Sequence, residues 1–339
     1  MLKNKNILFS TDNIVGYKES VENALKRRFL EVEYIEEYLP IKEKRTLGFK
    51  ILREISKNLN DKNIIKKLYK NLEKKNIREM LNKYKFKFDY FLVVAGREFS
   101  KEFLEILKEY NPKTKCILFL WDAFEETSLR KSSSEFDYIF SFDQKDCEKY
   151  GFIFRPIFYI EECEKDLIDY NKREYEIFYL GALRDKKRYD IVNEVYKYSN
   201  KNKLNYFLKI IYNKKNIKIL KDNYNKEILS EKRVSYLENR KLLKNSRVVL
   251  DLNFEKQNGL TIRASEAIGS KNKIITTNKY IKEYDFYDEK NIVFIESIGE
   301  IKNISKEFFE TEFNEISPEI KKRYTTEGFI EDIFNKIKK

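Results

Sequence analysis

Short apolar runs alternate with stretches of helical spacing through the first half of the chain. The pattern predicts strands at Lys5–Ser10, Val32–Ile35, Phe88–Ala95, Lys115–Leu120 and Phe136–Phe142, and a short apolar run follows at Phe152–Arg155. Between them it predicts helices at Glu19–Phe29, within residues 43–85, at Ser100–Tyr110 and at Gln144–Lys149. Strands that alternate with helices in this way indicate βαβ units and a parallel sheet.

The pattern stops at residues 161–174, which are charged and carry no strand signal, and then resumes. It predicts strands at Tyr175–Leu180, Asn205–Tyr212, Val248–Asn253, Lys273–Thr277 and Asn291–Ile295, with a short extended piece at Lys232–Tyr236. Helices are predicted at Lys187–Ser199, at Leu237–Asn245, from Gly259 to about Ile268, and from Pro318 to the C-terminus.

This repeated pattern predicts an α/β protein with two Rossmann-like domains. We expect an N-terminal domain over residues 1–160, a C-terminal domain over residues 175–315, and a final helix at 318–339 that packs back on the first domain. Ligands of open α/β sheets bind at the carboxyl ends of the strands. Two facing sheets would therefore hold two ligands in one cleft, which suits the transfer of a group between two substrates.

Composition removes several kinds of chemistry. The sequence contains no histidine, which excludes a Ser-His-Asp triad and any His-ligated metal centre. Its three cysteines form no CxxC pair, which fits a reducing compartment and argues against a zinc or iron–sulfur site. The dinucleotide fingerprint and the P-loop are both missing. No transmembrane run or secretory signal is recognisable, so we expect a cytoplasmic protein.

The net charge is +13, from 69 Lys and Arg against 56 Asp and Glu. Such an excess favours anionic partners, which include nucleic acid, an acidic membrane face and phosphorylated small molecules. The basic residues are mostly interleaved with acids, which is typical of a solvated surface, so we expect no specific nucleic-acid binding. The same charge can still bring the protein to the anionic inner membrane as a peripheral contact.

The segment 253–278 carries the sharpest signal for a binding site. A polar loop leads to Asn258 and Gly259, where a helix is predicted to begin, and the free N–H groups of a helix N-terminus bind anions such as pyrophosphate. Arg263 and Glu266 are three residues apart and share a helical face. Arg263 can pair with a phosphate, and Glu266 can accept hydrogen bonds from two ribose hydroxyls. A salt bridge between the two on a surface helix is an equally good interpretation of this spacing.

Residues 258–278 also resemble the C-terminal donor-binding motif of GT-B glycosyltransferases. They are most similar to CgeB-like and lipopolysaccharide or capsule biosynthesis transferases, which show R-x-x-E in this helix, then a small Gly-containing turn and an apolar strand. Tyr280–Asn291 resembles the segment after that strand, and Tyr179–Arg188 resembles the opening strand and turn of the same domain. The resemblance covers about residues 175–300.

The resemblance implies a nucleotide-sugar site in the second domain, with the nucleobase held near Val234–Tyr236. The implied donor-binding residues are Gly181, Arg184, Lys187, Tyr236, Asn258, Gly259, Leu260, Arg263 and Glu266. It implies neither metal nor cofactor, because such enzymes stabilise the leaving diphosphate with helix N–H groups and Lys or Arg. Asn258 departs from the pattern, since many retaining members carry Glu eight residues before the match to Glu266. Glu255 lies nearby, and the choice between inversion and retention stays open.

In the first domain, three loops after predicted strands can bind an acceptor, namely Asp12–Tyr17, Gly96–Ser100 and Trp121–Glu126. Because the chain has no histidine, an acid must act as the general base of an inverting reaction. The candidates are Asp122, Glu125 and Glu126, of which we expect Asp122 or Glu125 to be catalytic; acids clustered in a loop are also typical of a solvated surface. Trp121 can stack on a sugar ring or fill a domain interface.

Together these features favour a metal-independent glycosyltransferase that uses a nucleotide-sugar donor and an envelope or surface glycan, or a lipid-linked acceptor. Two alternatives remain. One is a basic protein that binds nucleic acid or an anionic membrane. The other is a GT-B-shaped sugar-nucleotide epimerase, which the lack of histidine disfavours because such epimerases usually show histidine in their cleft.

Overall fold

The computed structural model describes residues 2–12, 14–36, 51, 62–94, 99–221, 224–254 and 257–337. The chain divides into two units. The first comprises Met1–Asn13 and Tyr17–Arg155, and the second comprises Ile14–Gly16 and Pro156–Lys339. Gly96, Glu255 and most of residues 43–61, which are part of the helical region predicted within 43–85, lie outside the described residues.

The first unit contains one parallel sheet. Its strands are β1 (Asn6–Thr11), β2 (Glu31–Tyr34), β3 (Tyr90–Val94), β4 (Lys115–Leu120), β5 (Tyr138–Ser141) and β6 (Ile153–Phe154). Its described helices of the α type are α1 (Tyr17–Lys26), α2 (Lys62–Leu81), α3 (Lys101–Tyr110) and α4 (Gln144–Tyr150). The strand order is β2-β1-β3-β4-β5-β6, so β2 lies on one side of β1 and the later strands follow on the other side.

The second unit repeats the design with a different order. Its strands are β7 (Tyr175–Ala182), β8 (Tyr206–Ile211), β9 (Leu229–Ser230), β10 (Ser246–Asp251), β11 (Lys273–Thr276) and β12 (Ile292–Phe294). Its described helices of the α type are α5 (Lys186–Asn202), α6 (Tyr236–Lys244), α7 (Ile262–Gly269), α8 (Lys306–Glu310), α9 (Pro318–Arg323) and α10 (Thr326–Lys336). The order β9-β8-β7-β10-β11-β12 is all parallel and is that of a Rossmann fold.

Apolar runs and helix caps explain why these elements form where they do. Five of the six residues of β4 are buried, as expected for a strand covered on both faces. The helix α3 turns Phe103 and Leu107 towards the core of the first unit. It begins after Ser100, whose hydroxyl accepts a hydrogen bond from the N–H of Phe103 at 3.2 Å. Within the described residues, and apart from two details of the second unit, the predicted strands and helices are confirmed in type and order.

Two details of the second unit differ from the prediction. The extended piece predicted at Lys232–Tyr236 is wrong, because the strand is Leu229–Ser230 and Tyr236 already belongs to α6. The single C-terminal helix is wrong as well, because it is divided into α9 and α10. A Cβ on Gly328 would overlap the carbonyl of Lys322, so a glycine there lets the two helices cross closely.

The C-terminal helix α10 belongs to the second unit. The ring of Phe329 stacks on Phe158 of the same unit with centroids 4.1 Å apart. The expected packing of this helix on the first domain stays a prediction. Among the residues that the structure describes, no helix has both the length and the apolar character needed to cross a membrane.

Candidate functional site

The strands β7 and β10 meet where the strand order of the second sheet reverses. In open α/β sheets, ligands bind beyond the carboxyl ends of the strands at this point. Val249 of β10 pairs with Phe178 of β7, which sets Asp251 opposite Leu180 two residues further on. The chain leaves β7 towards α5 and leaves β10 towards α7, so two helix N-termini follow these two strand ends.

Arg263 of α7 reaches the end of β7. Its guanidinium donates a hydrogen bond to the carbonyl of Leu180 and lies 5.2 Å from the ring centroid of Tyr179. A Cβ on Gly181 would overlap the Tyr179 hydroxyl, so glycine is what allows the phenol to lie against the strand end. That hydroxyl is buried and has no hydrogen-bond partner among the described residues. A guanidinium has five N–H donors, so Arg263 keeps donors for a ligand.

The amino end of α7 is partly capped by its own side chains. The Thr261 hydroxyl accepts a hydrogen bond from the N–H of Ala264 at 3.0 Å and donates to the buried carboxylate of Asp251 at 2.6 Å. The N–H groups of Ile262 and Arg263 donate to no acceptor in the described part of the chain. Because Asp251 already places a negative charge at this helix end, an anion bound there would depend on arginine side chains as well.

A second arginine, Arg188, lies at the end of β10. Its guanidinium donates to the carbonyl of Leu252 at 3.2 Å, and its Nε is buried without a partner among the described residues. The predicted Arg184 and Lys187 are exposed, and the Arg184 guanidinium lies 5.7 Å from the ring of Phe254. Arg188 was not among the predicted donor-binding residues. The signal for it was its place at the end of the segment Tyr179–Arg188, which resembles the opening strand and turn of the donor-binding domain.

The loop before α7 is held in place by a side chain that follows β11. The side-chain amide of Asn278 donates to the carbonyls of Asn258 at 3.1 Å and Gly259 at 3.0 Å. Leu260 is only 1% exposed and is part of the core of the second unit. Any part that Gly259 and Leu260 take in ligand binding is therefore through the backbone.

Glu266 is the most strongly perturbed acid of the site. It is 2% exposed, and the Tyr236 hydroxyl donates a hydrogen bond to its carboxylate. Burial raises the pKa of Glu266 to about 7, although the Tyr236 hydrogen bond and the charges of Arg240 and Arg263 act in the opposite direction. The surface salt bridge between Arg263 and Glu266 is not formed, because Arg263 bonds to Leu180 and Glu266 is buried.

Tyr236 is the first residue of α6. The Ser235 hydroxyl accepts a hydrogen bond from the N–H of Glu238 at 3.2 Å and so caps the start of the helix. The guanidinium of Arg240, one helical turn later, lies 5.6 Å from the Tyr236 ring centroid. Arg240 was not predicted, and its spacing of four from Tyr236 was the available signal. The structure thus places Tyr236, Arg240, Arg263 and Glu266 together.

The predicted catalytic acids belong to the first unit and follow β4. Asp122 and Glu125 are both exposed. Glu125 accepts hydrogen bonds from Tyr150, Lys149 and Arg130, and the hydrogen bonds from Tyr150 and Lys149 hold its pKa below the usual range. A carboxylate held in this way is a weak base.

The turn that carries these acids is fixed from inside the unit. The Asp146 carboxylate accepts a hydrogen bond from the N–H of Phe124 at 2.7 Å. Trp121 is 6% exposed and packs edge to face with Tyr17 at a centroid distance of 5.7 Å. Trp121 therefore belongs to the interior of the first unit and does not offer an open ring face.

No three or more His, Cys, Asp or Glu side chains within the described ranges are grouped so that they could hold a metal ion. The expectation that neither metal nor cofactor takes part stays a prediction.

Solved structures with the same fold cover almost the whole chain. The apo lipopolysaccharide outer core galactosyltransferase WaaB matches with a TM-score of 0.55 and 12% identity over 98% of this chain and 99% of its own. A UDP-forming α,α-trehalose-phosphate synthase from Burkholderia xenovorans matches with a TM-score of 0.56 and 10% identity over 99% of each chain. The Methanocaldococcus jannaschii UDP-GlcNAc 2-epimerase, solved with UDP-GlcNAc and UDP, matches with a TM-score of 0.51 and 14% identity over 97% and 99%.

These similarities establish the fold. The chain is an α/β protein of GT-B type with two Rossmann-like domains, as predicted, and each domain contains a parallel six-stranded sheet. No protein-family model matches the sequence, and no curated protein is similar enough in sequence to be counted as a relative.

Proposed function

We propose that this protein is a glycosyltransferase of the CgeB-like, lipopolysaccharide or capsule biosynthesis type, which moves a sugar from a nucleotide-sugar donor to an envelope or surface glycan. The second unit binds the donor, and the first unit binds the glycan or a lipid-linked acceptor. The UDP-forming synthase and the epimerase solved with UDP-GlcNAc and UDP share the fold, and they support a uridine nucleotide as the first donor to test.

One observation carries the proposal, namely the two arginines at the strand-order reversal of the second sheet. Arg188 and Arg263 donate to carbonyls at the ends of β10 and β7 and retain further donors. Two fixed guanidinium groups beside a helix N-terminus stabilise the charge that develops on a departing diphosphate. Glu266 accepts hydrogen bonds from ribose, and Asp122 is the stronger candidate for the general base because Glu125 is held by three donors.

Calorimetric titration with UDP-, GDP- and CDP-sugars tests this proposal. We expect one nucleotide series to bind, and Arg263→Ala to weaken its binding by about tenfold or more, the value of a charge-assisted hydrogen bond. The matched control is Arg78→Ala, which removes an exposed arginine paired with Glu109 at 2.7 Å in the first unit and should leave the affinity unchanged. If no nucleotide sugar binds the folded protein, the proposal is wrong.

A sugar-nucleotide epimerase is the second candidate, which the similarity to the Methanocaldococcus jannaschii enzyme supports. The two functions differ in what happens to the donor without an acceptor. An epimerase converts UDP-GlcNAc into its 2-epimer, whereas a transferase leaves the sugar configuration unchanged until an acceptor is present. Proton NMR of UDP-GlcNAc incubated with the protein alone separates them.

A further inference from the structure

We propose that Tyr236 determines which nucleotides enter the site, because its hydroxyl takes the place of a ligand hydroxyl on Glu266. In the free protein the Tyr236 hydroxyl donates a hydrogen bond to the Glu266 carboxylate. A nucleotide must supply a hydroxyl donor of its own to replace that hydrogen bond. This inference rests on the proposed donor site of the second unit and concerns the class of ligand that the site admits.

The starting point is the pair itself. The Tyr236 hydroxyl donates to a Glu266 carboxylate that is 2% exposed. Burial and the nearby Glu266 charge raise the pKa of Tyr236, so the phenol keeps its proton and acts as the donor. A buried carboxylate that loses its donor pays the full desolvation penalty. Whatever moves Tyr236 away must therefore replace its hydrogen bond.

The neighbouring cations do not provide that replacement. Arg263 donates to the carbonyl of Leu180, and Arg240 lies against the Tyr236 ring. Within the described residues, neither guanidinium hydrogen-bonds to Glu266. A hydroxyl from the ligand is the natural substitute, since one O–H exchanged for another leaves the number of hydrogen bonds on the carboxylate unchanged.

Tyr236 can leave its place at little cost to the core. It is the first residue of α6, a helix in which only Leu243 is buried. Its neighbours Ser235 and Leu237 are exposed, and its own side chain is half-buried. The phenol can therefore swing off Glu266 without opening the interior of the unit.

The exchange predicts that ribonucleotides and 2′,3′-dideoxynucleotides respond differently to the loss of the Tyr236 hydroxyl. A nucleotide with free ribose hydroxyls competes with Tyr236, so its measured affinity is reduced by the cost of breaking the Tyr236–Glu266 bond. A 2′,3′-dideoxynucleotide cannot displace the phenol and binds with the pair intact. Removal of the hydroxyl of Tyr236 therefore benefits the first ligand alone.

The test is titration of wild type and Tyr236→Phe with UDP, with GDP and CDP in parallel, and with the matching 2′,3′-dideoxynucleotides. We expect Tyr236→Phe to bind the ribonucleotide about tenfold more tightly, the value of one hydrogen bond to a charged group, and the dideoxynucleotide with unchanged affinity. The matched control is Tyr324→Phe, whose hydroxyl donates to the Asp285 carboxylate at 2.5 Å in the same unit. It should change neither affinity.

The outcomes separate the two proposals. If wild type binds none of UDP, GDP and CDP, the proposed donor site fails and this inference fails with it. If wild type binds and Tyr236→Phe binds the ribonucleotide equally or more weakly, Tyr236 is not a competitor and only the inference is overturned. If Tyr236→Phe tightens both kinds of nucleotide to the same extent, the phenol blocks by volume, which also overturns the exchange on Glu266.

Discussion

The two units share a scaffold and differ in the chemistry at their strand ends. Both contain a six-stranded parallel sheet. In the second unit, Arg188 and Arg263 bond to strand-end carbonyls, and burial raises the pKa of Glu266 to about 7. In the first unit, Glu125 is exposed and held by Tyr150 and Lys149, which lower its pKa. The same functional group thus has a raised pKa in one unit and a lowered pKa in the other.

The comparison shows which part of the fold decides function. The order of parallel strands determines where a ligand can bind, as at the reversal between β7 and β10. The loops and first helical turns after those strands determine the chemistry. Arg263 and Glu266 are on α7, and Asp122 and Glu125 follow β4.

The largest expected effect is on kcat, and it distinguishes Asp122 from Glu125 in the first unit. We expect Asp122→Asn to lower kcat for sugar transfer by about a hundredfold or more, the usual contribution of a general base. Glu125→Gln should leave kcat nearly unchanged, because this carboxylate is already held by three donors. Steady-state transfer assays measure both. A large loss for Glu125→Gln with an active Asp122→Asn would reverse the assignment.

The second effect contrasts Glu266 with Glu125 through the pH dependence of stability. The pKa of Glu266 is about 7 in the folded protein and ordinarily 4.5, so between these pH values the folded state holds a proton that the unfolded state has lost. Stability therefore falls as the pH rises across this window, by about 3 kcal/mol from a shift of this size at 1.36 kcal/mol per unit. Glu266→Gln removes this dependence. Its free energy of unfolding should therefore rise relative to that of wild type between pH 5 and pH 8.

Glu125→Gln is the matched control, with the opposite sign. The pKa of Glu125 in the folded protein lies below its usual value. The Glu125 carboxylate therefore stabilises the folded state at a pH above that usual value, and this stabilisation is lost as the pH falls. Denaturant unfolding at pH 5 and pH 8 measures Glu266→Gln, and unfolding at pH 5 and below pH 4.5 measures Glu125→Gln, whose ordinary pKa is 4.5. If the stability of Glu266→Gln changed with pH in the same way as that of wild type, burial would not raise the pKa of Glu266.

The sequence predicted the sheet strands well where the apolar runs are long and buried. The predicted and observed bounds of Lys115–Leu120 agree, because nearly every residue of this strand is interior. The two-residue strand Leu229–Ser230 was missed because it is half-buried and has no apolar run. Local pattern detects burial over several residues and not a short edge pairing.

The candidate site was predicted only in part, for a physical reason. R-x-x-E has the same spacing on an exposed helix and on a buried one, so the burial of Glu266 depends on Tyr236 and on the packing of α7. Among 69 basic residues, the sequence does not show which arginine points inward. Arg173 illustrates this, since it lies in the predicted charged connector and yet donates to four backbone carbonyls as an internal clamp.

Photo-crosslinking tests the central claim most directly, because it reports where a nucleotide binds. The intact protein is irradiated with azido-substituted UDP, and in parallel with azido-substituted GDP, and the labelled peptides are identified by mass spectrometry. We predict labels within residues 175–315 that excess unmodified nucleotide abolishes. Labels confined to the first unit, or labels that excess nucleotide does not suppress, would contradict a donor site at the ends of β7 and β10.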